Sequence, residues 1–325
     1  MVLSVEITIR EVQGEEDYPG IVEVHCSDVE RWYKYVDGRK IEARYKELTP
    51  FERWLNGGPW MDLETIHLHF DILKSSKGKA FIAIANNEKV VGEAEIVFSE
   101  EPEPYGRYCF LEVLVVHRDY RRRGIGTKLV KHCLEYARSH GYKLFDTIPE
   151  DERSKNLYIK LGFKRMFYLY KMRKTCEKAV ASLYFKRIPA GEHPKDKLLI
   201  SGHWYSSVYI WQNILRAQDY NKFKGFNFKE PLFFEIIRNE EVMGLLSFQA
   251  HFLNPKLSIS YIWVKPRYLV RKLLTEIARC IAYKALELGF NEVFVEVDEV
   301  NAPAFLSAKY KRIGKVEYLR KFYEC

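Results

Sequence analysis

Twice along its 325 residues the chain runs through the same succession of periodicities, and no other feature restricts its fold as tightly. Each passage opens on a strand-like stretch, crosses a helical region, and then gives three strand-like runs in antiparallel succession. A helix, a strand, a short helix ending near glycine and a last strand follow. In the first passage the strands are read at 5–10, 79–85, 89–98, 108–116, 142–148 and 164–172, with Asn86-Asn87 as a hairpin turn. Ile125, Leu129, Val130, Cys133, Leu134 and Ala137 recur at helical spacing, so 124–140 reads as a helix that stops at Gly141. A shorter helix, 152–161, ends at Gly162. Region 15–75, rich in Trp and Tyr, is too long for a bare loop and is expected to hold helices plus a loop.

The second passage repeats this order, from the strand "ASLYFKRI" and the helix "HWYSSVYIWQNILRAQDY" to the closing strand "KVEYLRKFY". The pattern predicts an α/β (α+β) mixed sheet with helices on its faces, in two copies of one fold. The copies are 1–174 and 182–325, with 175–181 as linker.

Composition excludes several classes. No apolar run approaches the ~20 residues of a membrane span, and "MVLSVEITIREV" lacks the features of a signal peptide, so a cytoplasmic protein is expected. Cys26, Cys109, Cys133, Cys176, Cys280 and Cys325 show no metal-ligand spacing and read as reduced thiols. His67 and His69 lack a third ligand, so no metal is expected. A net charge of +8 suits an anionic ligand but is too evenly spread to make nucleic acid the partner. Few glutamines beside abundant Lys, Glu and Arg lean toward a thermophilic source.

The charge concentrates in "VLVVHRDYRRRGIGTKLVKH", residues 113–132, where a strand feeds a turn and a helix begins near Gly124. The first amides of a helix have no intrahelical partner, and the macrodipole adds positive potential there. Gly124 and Gly126 admit close approach, and Arg121, Arg122 and Arg123 add forked donors. Together these suit a pyrophosphate. The spacing is neither GxxxxGK[ST] nor GxGxxG after a first strand.

Arg-x-x-Gly-x-Gly after a central strand, with "SKNLYIKLGFKRM" thirty residues on, resembles the GCN5-related N-acetyltransferases, the GNAT superfamily. The resemblance covers about 5–173 and implies two GNAT-like domains, the second degenerate. It implies a mostly antiparallel central sheet in each. Acetyl-CoA is the implied acetyl donor, its pyrophosphate on the amides of Arg121, Arg122, Arg123, Gly124, Ile125, Gly126 and Thr127. The pantetheine is implied to run beside Leu114, Val115 and Val116, where the central strands splay. Tyr158 matches the family's general acid, and Ser154 and Asp151 lie near the cofactor on the closing helix. Asn156 points off that face. For the base, Glu112 alternates onto the face of Leu114, while Glu93 and Glu95 share one face of the neighbouring strand. The acidic loop 99–104 is expected to be a solvated turn, and the aromatic 15–75 segment to line the acceptor side.

The second copy aligns Val264 with Val116 and Tyr268 with Tyr120, then continues Leu269-Val270-Arg271-Lys272 without glycine. It is therefore expected not to bind CoA well, and to shape the acceptor cleft or mediate association. The expected activity is N-acetyl transfer to a small-molecule or protein amine. A non-catalytic CoA-binding module is the alternative. A homo-oligomer is compatible with the sequence; a membrane partner is not expected.

Overall fold

The computed structural model describes residues 5–36, 39–179 and 182–323. The first half begins with β1 (Ile7–Glu11), α1 (Tyr18–Cys26), the hairpin β2 (Trp32–Val36) and β3 (Arg39–Ala43), α2 (Pro50–Trp54) and α3 (Leu63–Ser75). It continues through β4 (Gly78–Ala85), β5 (Lys89–Glu100), β6 (Arg107–Val116), α4 (Ile125–Ser139), β7 (Leu144–Thr147), α5 (Glu152–Lys160) and β8 (Lys164–Thr175). The second half holds β9 (Tyr184–Ile188), β10 (Leu198–Ser201), α6 (Ser207–Arg216), β11 (Leu232–Arg238), β12 (Glu241–His251) and β13 (Asn254–Val264). It closes with α7 (Arg271–Glu287), β14 (Glu292–Asp298), α8 (Ala302–Ser307) and β15 (Lys311–Phe322).

Local chemistry explains the element ends. Asn86 and Asn87 adopt φ of 51° and 59°, the paired left-handed conformation that a tight β4–β5 hairpin needs. Thr49 and Glu52 cap α2 reciprocally: Thr49 N–H donates to Glu52 Oε2 at 2.8 Å and Glu52 N–H to Thr49 Oγ1 at 3.3 Å. The apolar stripe of α4 is buried throughout, against the core of β4 to β6.

All strands except β2 and β3 join one 13-stranded sheet, in the order β1-β4-β5-β6-β7-β15-β8-β14-β13-β12-β11-β9, with β10 against β13. The last strand of each half is exchanged. β15, from the second half, lies between β7 and β8, while β8, from the first, pairs with β14. No half therefore ends in an open edge at its centre. A buried ion pair fastens the exchange: Arg320 Nε–H donates to Asp146 Oδ1 at 2.7 Å, and its Nη2 to Asp146 Oδ2 at 2.7 Å. Tyr318 Oη–H donates to the same Oδ2 at 2.6 Å, and further Arg320 donors reach the carbonyls of Pro104 and Tyr105.

Three expectations change. The 15–75 region contains a β2–β3 hairpin besides its helices. Its aromatics also divide, for Phe51 and Trp54 pack on Phe226 of the second half rather than on a cleft. The acidic loop is not simply a solvated turn: Glu101 is buried, accepting from Tyr108 Oη, paired with His203 Nε2 at 2.9 Å, and capping the amide of Leu199. Of the linker, residues 180 and 181 lie outside the described residues, as does Cys325. The five described cysteines are free thiols.

Candidate active site

The site begins where two parallel strands part. β6 and β7 pair from Tyr108↔Leu144 to Leu111↔Thr147, and no pairing continues beyond. From Glu112 to Val116 the β7-facing edge of β6 is left without a strand. A cavity of about 2060 Å³ opens there, walled by Leu114, Val115 and Val116 on one side and Thr147, Ser154 and Tyr158 on the other.

A bulge sets the chemistry of that edge. Glu95 pairs with Val113 and Ile96 with Leu111, so Glu112 is an extra residue with no partner on β5. Strict alternation placed Glu112 with Leu114; the bulge turns it over. Leu114 packs with the α4 core, whereas Glu112 reaches the opposite side and meets α6. There Ser206, the N-cap of α6, donates to Glu112 Oε1 through its N–H at 3.2 Å and its hydroxyl at 2.5 Å. Glu112 Oε2 is buried without a partner. Burial pushes this carboxyl well above its ordinary range, against the opposing pull of the Ser206 bonds.

The glycine turn follows β6. A one-turn helix, Arg118–Tyr120, precedes it, Arg122 adopts φ 64°, and Gly124 caps α4 at φ 80°. A Cβ on Gly124 would meet nothing within 4 Å, so glycine is required for its left-handed backbone rather than for space. The first turn of α4 closes with Lys128 N–H on Gly124 O at 3.0 Å. Among the described residues, the six amides from Arg122 to Thr127 carry no intramolecular hydrogen bond. The three arginines part company. Arg121 is pinned, its Nε–H on Val116 O at 3.1 Å and its Nη2 2.7 Å from Asp28. Arg123 folds back onto Asp119 O and the Tyr120 ring, off the cavity wall. Arg122 lines the cavity and makes no ion pair among the described residues.

The floor belongs to α5. Tyr158 is 4% exposed, and burial raises its phenol above the ordinary range, so it stays protonated. Asp151 is the N-cap of α5. Its Oδ1 accepts from Ser154 N–H at 2.8 Å, and Arg153 Nε donates to its Oδ2 at 2.6 Å. These bonds, the Ser154 amide first, hold its carboxyl down at about 2. Asn156, which helical spacing set aside, lies on the cavity wall after all.

Glu93 and Glu95 are fully buried and stand behind the wall rather than on it. Glu93 Oε2 is 2.7 Å from His25 Nε2, and Glu95 Oε1 is 2.7 Å from both His69 Nε2 and Trp60 Nε1. Burial, with His69 nearby, lowers His25 to about 3; burial and then Glu95 raise Glu93 well above its usual range. With its imidazole neutral, His25 meets Glu93 in a hydrogen bond rather than an ion pair. A neutral imidazole this weakly basic is a poor proton acceptor, and the carboxyl groups on the cavity wall itself include Glu112, Glu150, Asp151 and Glu296. His67, two residues before His69, faces solvent beside Glu15.

The corresponding splay in the second half is filled. β10 runs antiparallel along β13, with Leu198 opposite Val264, Leu199 opposite Trp263 and Ser201 opposite Ile262. These β13 residues match Leu114 to Val116 by the Val116–Val264 alignment. The turn after β13 carries Pro266–Tyr268 as its one-turn helix and then enters α7 at Arg271 without a left-handed glycine. Trp60 of the aromatic 15–75 segment does reach the wall, whereas sequence reasoning missed β10 and several wall residues from distant elements, Thr147, Trp204, Tyr205 and Glu296 among them. No local motif announces any of these.

The model of the acetyltransferase (GNAT) family matches residues 41–163 and again 203–309. The curated N-acetyltransferase 8B of Rattus norvegicus is 29% identical over 126 residues, 36% of this chain and 57% of the rat protein, little more than half its length. A solved GCN5-related N-acetyltransferase from Anabaena variabilis ATCC 29413 superposes with a TM-score of 0.62 at 12% identity, over 98% of this chain and 73% of that one. A tandem GNAT protein from the clavulanic acid biosynthesis pathway superposes with a TM-score of 0.52 at 12% identity, over 98% of each chain. At such identities the two structures speak to fold alone. No described helix is long and apolar enough to cross a membrane.

Proposed function

Because this chain belongs to the acetyltransferase (GNAT) family, we propose that its first half transfers an acetyl group from acetyl-CoA to a primary amine. One observation carries the reading: six consecutive amides, 122–127, have no partner among the described residues, and Arg122, Gly124, Ile125, Gly126 and Thr127 line the cavity that opens where β6 and β7 part. Backbone donors at a helix N-terminus, with Arg122 beside them, fit a diphosphate. The unpaired edge of β6 at Leu114, Val115 and Val116 fits the amide-bearing pantetheine arm, which can add to it as a strand does.

When bound, acetyl-CoA supplies the acyl group as a thioester. A backbone N–H near Leu114 polarises its carbonyl. As the amine nitrogen bonds to the carbonyl carbon, its surplus proton passes to Glu112 Oε2, the bare oxygen beside the bulge. As the carbon–sulfur bond broke, the sulfur would leave as a thiolate, and the Tyr158 phenol, keeping its proton, would donate a hydrogen bond to it. The raised affinity of Tyr158 for its proton suits a donor that holds the thiolate by a hydrogen bond. The filled splay beside β13 supports one donor site per chain.

Release of free thiol from acetyl-CoA, measured against a panel of amines, tests this. Amine-dependent release that falls about a hundredfold in Tyr158→Phe, with CoA affinity kept, is the expected result. CoA binding without any amine-dependent thiol would overturn it in favour of a non-catalytic binding module.

A further inference from the structure

Glu296, on β14 of the second half, lies on the wall of the same cavity as Glu112 and Tyr158. Its residue is 1% exposed, and neither carboxylate oxygen has a hydrogen-bond partner among the described residues. Buried acids are normally bonded, because an unsatisfied buried charge is costly. Asp146 and Asp298 follow that rule, and even Glu112 has Ser206; Glu296 does not. Lys171 faces it as the cross-strand residue on β8 and also reaches the wall, yet the two form no ion pair among the described residues. Burial raises the carboxyl to about 7, the opposing pulls of Lys171 and His203 being smaller. The half-buried rings of Trp204 and Tyr205 line the same cavity. A bare carboxylate and aromatic rings on one cavity wall are receptor chemistry for an organic cation.

We propose that the acceptor carries a second cationic group besides the amine that is acetylated, and that Glu296, Trp204 and Tyr205 receive it. The inference rests on the acetyl-transfer reading for the reacting amine. It adds that the second half supplies the acceptor's far anchor. β14 lies three strands from β7 in the sheet, so at ~4.8 Å per strand the two ends of the acceptor are roughly 14 Å apart or less. An extended polyamine-like molecule can bridge that span.

The test compares two probes of equal length, the α,ω-diaminooctane and the corresponding amino-octanol, titrated calorimetrically into the full chain saturated with CoA. The diamine is expected to bind about tenfold more tightly or better, and Glu296→Gln to bring the two to parity with CoA affinity unchanged. Parity in the unaltered protein, as when Lys171 already neutralises Glu296, overturns the proposal; so does a diamine preference that survives Glu296→Gln. The first comparison needs no variant and stands even if the substitution unfolds the chain. CoA affinity and amine-dependent thiol release, measured on the same preparations, report separately on the acetyl-transfer reading. Their loss with the diamine preference intact would remove that reading and keep the cation site.

Discussion

The hydroxyl of Ser206 donates to Glu112 Oε1 across 2.5 Å, joining the N-cap of a second-half helix to the bulged strand of the first. The contact holds one carboxylate oxygen and leaves the other buried without a hydrogen-bond partner among the described residues. Glutamine in this position keeps an oxygen for both Ser206 donors but cannot take a proton. Glu112→Gln is therefore expected to fold normally, keep its CoA affinity and lose about a hundredfold or more in turnover. Turnover measured across pH is the check, since the limb that reports ionisation of Glu112 should vanish. An unchanged pH–rate profile would remove Glu112 from the reaction.

Gly124 carries the left-handed turn on which the amide row depends. Gly124→Val imposes roughly 1–3 kcal/mol of backbone strain or rearranges the loop, so CoA affinity should fall about tenfold or more. At Gly126 a Cβ would make only ordinary contacts with Leu157 and Val116, so Gly126→Ala should cost little stability. Calorimetry reads both variants, and the unaltered chain should bind one CoA per molecule. Two equal sites would contradict the occupied slot beside β13.

Stability should depend on pH through Glu296. Its folded value, about 7, lies above the ordinary 4.5, so the folded state holds the proton more tightly than the unfolded state does. The contribution is fully present below pH 4.5 and is lost as pH rises through 7, to the extent of about 3 kcal/mol at most. Denaturation at pH 5 and pH 8 should show a decline for the unaltered chain that Glu296→Gln reduces. An identical decline in both proteins would mean that the carboxyl titrates normally.

Removing one partner of the Arg320–Asp146 pair leaves the other buried and charged. Arg320→Met should destabilise the chain by about 3–5 kcal/mol, whereas replacing both residues by apolar ones should recover much of that. Chemical denaturation of the two single variants and the double variant gives the comparison. Because Asp146 precedes Thr147 on the cleft floor, Arg320→Met should also weaken CoA binding.

The elements with strong periodicity were legible in the sequence. The stripe of α4, the Asn86-Asn87 hairpin and the glycine turn are each dictated by residues a few positions apart. What escaped was set by residues far apart. The orientation of Glu112 depends on a register shift between β5 and β6, and alternation within β6 cannot reveal it. β10 is a four-residue, wholly buried run whose neighbour lies some sixty residues on, so it shows no two-residue period. β8 and β15 read correctly as strands, but their alternation is satisfied by any neighbour and does not name which. Glu296 looks like an ordinary acidic position in "NEVFVEVD"; only the fold shows that it is buried at the cavity wall and unpaired among the described residues. The hairpin β2–β3 went unread because both its faces are largely solvated.

The traded strands also decide what cutting this polypeptide would do. A break between Cys176 and Leu183 would not liberate two independent proteins, because each fragment would hold the strand that completes the other. The fragments should co-purify as a stoichiometric complex and each collapse alone. Covalent continuity turns what would otherwise be a dimer equilibrium into a marriage without dilution. Under that guarantee the second half can carry β10 along β13 while still completing the first.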